Sequence, residues 1–235
     1  MEATDQMHAL GSMTLRNLEF IGPSGVGKTT LASLAVNHLP PCWITKKQAK
    51  FFLEGFTENI TQTEHEAAFL RALLDAKDKS ITRSFSSDIH KRKKLMDFFR
   101  AELLLDHAIL SVLENYRVFS DDGISHNFGV ELLAYSDDTG LQSFFSRRDI
   151  VHLTASAETI LDHLKKRNEQ SPNALNDWYG YYHGNLEALT EIVCSSIRRS
   201  IETSKLAERF GSRVLQLNAG EGLDANKQRV LEFIE

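Results

Sequence analysis

The apolar positions of this chain change period several times, and each change marks an element. Leu15 to Ile21, LRNLEFI, is a short apolar run closed by a glycine, which predicts a strand. Lys28 to Leu39 has helical spacing and is stopped by Pro40 and Pro41. Cys42 to Thr45 reads as a second strand, and residues from there to about Asn59 fit no single period. Thr63 and Glu66 have capping-box spacing ahead of AAFLRALL, predicting a helix over 64–76. Lys77 to Lys94 is polar and basic and reads as a surface loop. Leu95 to Glu114 is apolar on most faces, the pattern of a well-buried helix. Tyr116 to Gly123 is a strand ending in two aspartates and a glycine, and Asp149 to Thr154 is another. A helix follows from about Ser156 to Arg167, then a polar stretch, Asn168 to Gly184, with the aromatic cluster WYGYYHG. Asn185 to about Phe210 repeats apolar residues at helical spacing, Arg213 to Ala219 is a last strand, and Ala225 to Ile234 a closing helix.

Strands and helices thus alternate, which predicts an α/β fold with a mainly parallel sheet and helices on both faces. Residues 1–13 read as a flexible tail, lacking the basic start and apolar core of a secretory signal, and 14–235 as a single domain. The net charge of −5 and pI near 6.0 weigh against a general nucleic-acid binder. The one local exception is HKRKK, His90 to Lys94. Cys42 and Cys194 are too far apart for a CxxC pair, which favours a reducing cytoplasm, and no apolar run is long enough to cross a bilayer.

The sharpest chemical signal is Gly22-Pro-Ser-Gly-Val-Gly-Lys-Thr-Thr30, between the first strand and the first helix. Its spacing, Gly22-x-x-x-x-Gly27-Lys28-Thr29, is a Walker A match in the context that its chemistry requires. Glycines let main-chain N–H groups turn inward around concentrated negative charge, and the helix adds the positive end of its dipole. Gly22, Ser24, Gly25, Val26, Gly27, Lys28, Thr29 and Thr30 are therefore the candidate ATP-binding residues. Lys28 is placed at the β- and γ-phosphates and Thr29 on Mg²⁺. In open α/β sheets functional groups gather beyond the carboxyl ends of strands, so Asp121 and Asp122 become candidates for a metal ligand and a general base. Asp121 is the candidate metal ligand beside Thr29, and which of the pair faces the site stays open.

GPSGVGKTT resembles the phosphate loop of guanylate kinases and neighbouring small P-loop kinases. That resemblance implies a P-loop NTPase fold: a roughly five-stranded parallel sheet, an acceptor-side insertion at about 46–94 and a helical lid at about 165–184. It also implies transfer of the ATP γ-phosphoryl group to a small-molecule acceptor, with basic residues approaching the phosphates from the lid. Lys165, Lys166 and Arg167 hold that position, with Arg167 the candidate catalytic residue. Arg83, Arg92 and Arg100 would serve the acceptor, and Arg198 or Arg199 the transferring phosphate. Asn218 to Gly220 matches the segment that touches the adenine edge in related kinases. The likeness stops at the acceptor machinery. SITRSFS, Ser80 to Ser86, shares only a fragment of the guanylate-kinase segment, and Asp122-Gly-Ile-Ser-His126 stands where adenylate kinases carry Asp-Gly-Phe-Pro-Arg. An acceptor outside the common nucleotides is expected. The other reading of the chain is a nucleotide-binding ATPase or switch that controls a protein partner through Lys77–Lys94. The histidines lack metal-ligand spacing, and His90, His126 and His183 read as surface residues.

Overall fold

The computed structural model describes residues 16–54, 63–170 and 185–235. The predicted tail, the aromatic cluster Trp178 to Tyr182, His183 and most of the predicted lid lie outside the described residues. Five parallel strands form one sheet in the order β2-β3-β1-β4-β5: β1 (Asn17–Ile21), β2 (Trp43–Thr45), β3 (Arg117–Ser120), β4 (Arg148–Thr154) and β5 (Val214–Asn218). With a Walker A loop after β1, this is the α/β P-loop NTPase fold. The central strand β1 is buried along its whole length, as its near-continuous apolar run requires.

Side chains alternate across β1, and the alternation assigns its two faces. Leu18 and Phe20 enter a core with Leu31 and Ala35 of α1 (Lys28–Val36) and Val193 of the long helix Leu186–Arg209. Ile21 enters the opposite core with Phe69, Leu73, Leu103, Phe128 and Phe145. Glu19 lies on that second face, 2% exposed, an acid inside the sheet.

The largest departure from the sequence reading is at Lys77–Lys94. It is not a loop. α3 (Glu64–Ser84) runs straight through its first half, and α4 (Ile89–Val112) begins inside its second, with Phe85–Asp88 as the connection. Helix α2 (Lys46–Leu53) precedes them. The buried stripe of α3 is Phe69, Leu73, Lys77 and Ile81, spaced four apart. A lysine at the third position breaks the apolar period and hides the helix from a pattern search. Asp88 then caps α4 by accepting from the Lys91 N–H at 2.9 Å. Between β3 and β4 stand three short helices that the sequence reading left unassigned: α5 (Ile124–Asn127), α6 (Gly129–Ala134) and α7 (Asp138–Phe145). The remaining helices are α8 (Ala157–Gln170), α9 (Leu186–Arg209) and α10 (Leu223–Ile234). Among the described residues, no helix is long and apolar enough to cross a membrane.

Candidate active site

The candidate phosphate loop joins β1 to α1 through three glycines with positive φ. Gly22 (φ 145°) passes so close to β4 that a Cβ would stand 2.3 Å from the Leu153 carbonyl oxygen. Gly25 (φ 86°) lies against α8, where a Cβ would meet Leu164 at 3.1 Å. Gly27 (φ 102°) faces open space, with nothing within 4 Å of the Cβ position. Two side chains of α8 reach the same loop: His163 Nδ1 lies 2.8 Å from the Gly25 carbonyl oxygen, and Arg167 donates to Ser24 Oγ at 3.2 Å. Lys165 and Lys166 are exposed.

The amino end of α1 carries no cap of its own. Helices α2 and α3 begin with complete capping boxes at Thr45 and Thr63. At α1 the N-cap is Gly27, no side chain accepts from the first turn, and the turn holds no acid. The first N–H groups of a helix have no intrahelical acceptor, so this end is chemically fitted to an anion. Lys28 is 9% exposed, and its ammonium donates to the carbonyl oxygens of Gly22 at 2.9 Å and Pro23 at 3.2 Å. Burial lowers its pKa to about 8, against the opposing pull of Asp122 and Asp121.

Both aspartates after β3 stand at this loop, and they hold different places. Thr29 Oγ1 donates to Asp121 Oδ2 at 2.8 Å, which puts the two candidate magnesium ligands side by side. Asp122 turns toward α5. Its Oδ1 is closed to solvent without a hydrogen-bond partner, and His126 Nε2 stands 3.4 Å away. The side chain as a whole is 45% exposed. Burial pushes the Asp122 carboxyl up to about 6, partly offset by Lys28 and Lys46. The ammonium of Lys46 donates to the Asp122 carbonyl oxygen at 3.0 Å and pairs with Glu102 of α4. Among the described residues, no cluster of three or more His, Cys, Asp or Glu side chains is arranged to hold a metal ion.

His126 is not a surface residue. Its side chain is 24% exposed, and burial together with Lys28, Arg199 and Lys77 holds it far below the usual histidine range, so it is neutral. Lys77 is 9% exposed, pairs with Glu131 of α6 at 2.8 Å and donates to the Asn127 carbonyl oxygen at 2.7 Å. Its ammonium lies over Phe99 and Phe128, 4.7 and 5.0 Å from the ring centroids. Arg199 on α9 is the second cation acting on Glu131, and burial lowers its pKa. One carboxylate therefore serves two cations that both act on His126. Lys46, Lys77 and Glu131 were not singled out from the sequence, and His126 was read there as a surface residue. Lys46, Lys77 and Glu131 lie outside any motif, and only the packing of α2, α3, α5 and α6 brings the four to the end of β3.

Other candidates stand elsewhere. Arg83 and Arg100 are exposed on the α3–α4 hairpin and Arg92 is half-buried there. Arg198 is exposed on α9. The Asn218 side chain accepts from the Gly220 N–H at 2.9 Å and shapes the turn after β5.

A buried ion network supports the aspartate loop from below. Arg148 at the start of β4 donates to Glu19 Oε1 at 2.9 Å and pairs with Asp106 of α4. Glu19 Oε2 accepts the Ser125 N–H at 2.9 Å. A Cβ on Gly123 would fall 2.3 Å from the Glu19 carboxyl carbon, so the residue after the aspartates must be glycine for the loop to lie on Glu19. A separate solvent-open pocket of about 460 Å³, between α3, α4 and α7, is lined by His65, Glu66, Phe69, His107, Phe144 and Arg147 and does not include the phosphate loop.

No protein-family model matches the chain, and no curated protein matches it. Among solved structures, the chain is similar to a shikimate kinase from Bacteroides thetaiotaomicron at 14% identity, with 93% of this chain and 98% of that one aligned and a TM-score of 0.47. It is also similar to a shikimate kinase from Acinetobacter baumannii, solved with shikimate, at 15% identity over 94% of this chain and 93% of that one, with a TM-score of 0.44.

Proposed function

We propose that the chain is a Mg²⁺-dependent phosphotransferase that moves the γ-phosphoryl group of ATP onto a hydroxyl of a small metabolite carrying a negative charge. The observation that carries this reading is Asp122: a carboxylate raised toward neutrality, with one oxygen buried and unbonded, within electrostatic reach of the Lys28 ammonium. A group of that kind is suited to take a proton at neutral pH.

The residues fit both reactants. The uncapped end of α1, the open face at Gly27 and the buried Lys28 ammonium are fitted to a triphosphate. Thr29 and Asp121 would hold Mg²⁺, which when bound neutralises charge on the phosphate oxygens. Asp122 accepts the proton of the acceptor hydroxyl. The hydroxyl oxygen bonds to the γ-phosphorus, the bond from that phosphorus to the bridging oxygen breaks, and ADP leaves with the electron pair. His126, neutral, stands 3.4 Å from Asp122 Oδ1 and limits how the carboxylate can turn. Lys77 and Arg199 exceed Glu131 by one positive charge, and an anionic group on the acceptor would balance it. Arg167 stands at Ser24, on the side from which it would neutralise charge developing on the transferred group.

The test is to incubate the full chain with γ-labelled ATP, Mg²⁺ and a fractionated pool of small metabolites. Label appearing in a negatively charged hydroxyl compound supports the reading. Free phosphate released only when a protein partner is added would instead support the switch.

A further inference from the structure

The α3–α4 hairpin carries charge that the proposed reaction does not use. Between Lys79 and Arg100 stand seven Lys and Arg residues against two Asp, a net of +5 in a chain whose total is −5, so the rest of the chain carries −10. An asymmetry of that size within one chain points to an anionic partner for the basic part. Lys91 lies over the Phe85 ring, 4.5 Å from its centroid. Among the described residues, Lys79, Arg83, Arg92, Lys93, Lys94 and Arg100 take part in no salt bridge. Lys91 to Lys94 sit in the opening turns of α4, where the helix dipole disfavours positive charge, and four cations there face the single carboxylate of the capping Asp88.

The surface around the charges selects the kind of partner. A bilayer would need an apolar tip, but the connection presents Ser86, Ser87 and Asp88, all exposed, and Asp88 is committed to capping. Ile89, 69% exposed, is a single apolar side chain at that end. Phe98 is 46% exposed and lies one turn beyond Lys94, so a ring and an ammonium share one face of α4. Phe99 holds that ring edge-on, with centroids 5.2 Å apart. From Lys94 to Phe98 the face runs about 6 Å along the helix axis. Cations for phosphates, with an exposed ring for a base to stack on, are the combination that holds single strands of nucleic acid without reading their sequence.

We infer that the α3–α4 hairpin is a docking surface for single-stranded nucleic acid, with Lys93, Lys94 and Arg83 on the backbone and Phe98 under a base. The acidic remainder of the chain repels the same polymer, which confines contact to the hairpin and reconciles it with the low pI. The inference stands apart from the phosphotransfer reading and uses none of its residues.

The test is fluorescence anisotropy of labelled 20-nucleotide oligouridylate and oligothymidylate with the full chain, at 50 mM salt and without ATP. Saturable micromolar binding is expected, and log K should fall with log salt at a slope of about −3, for roughly four phosphates contacted. The double change Lys93→Glu/Lys94→Glu should weaken binding at least tenfold, and Arg83→Glu on the other helix should weaken it too. Phe98→Ala should weaken it several-fold with the salt slope unchanged. All variants should still bind ATP, which reports that they are folded. Absence of binding at 100 µM protein overturns the inference, as does binding that the charge reversals leave untouched. Capture by phosphatidylserine vesicles without oligonucleotide binding overturns it in favour of a membrane surface.

Discussion

Thr29 and Asp121, 92 residues apart in sequence, are joined by a 2.8 Å hydrogen bond that ties the start of α1 to the end of β3. The bond needs no metal, so the pair is held together before any ion arrives. Thr29→Ala and Asp121→Asn should each raise the Mg²⁺ concentration for half-maximal transfer by tenfold or more. Affinity for metal-free ATP should change little. Titrating Mg²⁺ at saturating ATP measures the first effect, and calorimetry in a chelator the second.

Lys28 gives a prediction of opposite sign for binding and for stability. Its pKa is lowered from 10.5 to about 8 by burial. Between those values the unfolded chain keeps a proton that the folded chain has released, so raising the pH through that window stabilises the ligand-free fold. Below pH 8 the full cost of burying the ammonium is present, about 3 kcal/mol. Lys28→Met should therefore raise the melting temperature of the ligand-free protein while abolishing transfer. Triphosphate binding by the wild type should weaken as pH rises above about 8 and should take up protons there. Calorimetry in buffers of different ionisation enthalpy reads that uptake. A variant with full activity would falsify the phosphate role.

Asp122 should set the acidic limb of the rate profile. Its carboxyl must be ionised to accept a proton, so kcat/KM should fall as pH drops through about 6. Asp122→Asn should lower kcat by about 10²- to 10⁴-fold with ATP affinity nearly intact. Lys46 lowers the pKa of Asp122, so Lys46→Met should move the limb to higher pH. A rate loss with an unmoved limb would mean that Lys46 only supports the loop.

The Glu19–Arg148–Asp106 network should be sensitive to partial removal. Arg148 is 1% exposed, and burial already pushes the Asp106 carboxyl up despite that partner. Arg148→Met leaves two carboxylates without their cation and should cost about 3–5 kcal/mol of stability. Urea denaturation at pH 7 measures this. The loss should shrink at pH 5, where protonation relieves the stranded acid.

The alternation of strands and helices, the glycine-rich turn and the place of the two aspartates at the end of a strand were legible in the sequence because each shows in neighbours within about ten residues. Gly22 to Thr30 carry their own spacing, and Asp121 and Asp122 end their own strand. The surroundings of Asp122 were not legible. Lys77 sits in the buried stripe of α3 as if it were apolar, and its partner Glu131 lies on a helix of six residues, too short to show a period. His126 reads as a loop histidine until α5 carries it against Asp122. Long-range ionic pairing of this kind leaves no spacing to detect.

The contact of Gly25 with Leu164, together with the bonds from His163 and Arg167, means that the curvature of the phosphate loop is imposed by a helix more than 130 residues downstream. The motif is consequently not portable. Its nine letters grafted onto another strand–helix junction would reproduce the composition of the turn but lack the wall that bends it, and a chimera would have to import α8 as well to recover its shape.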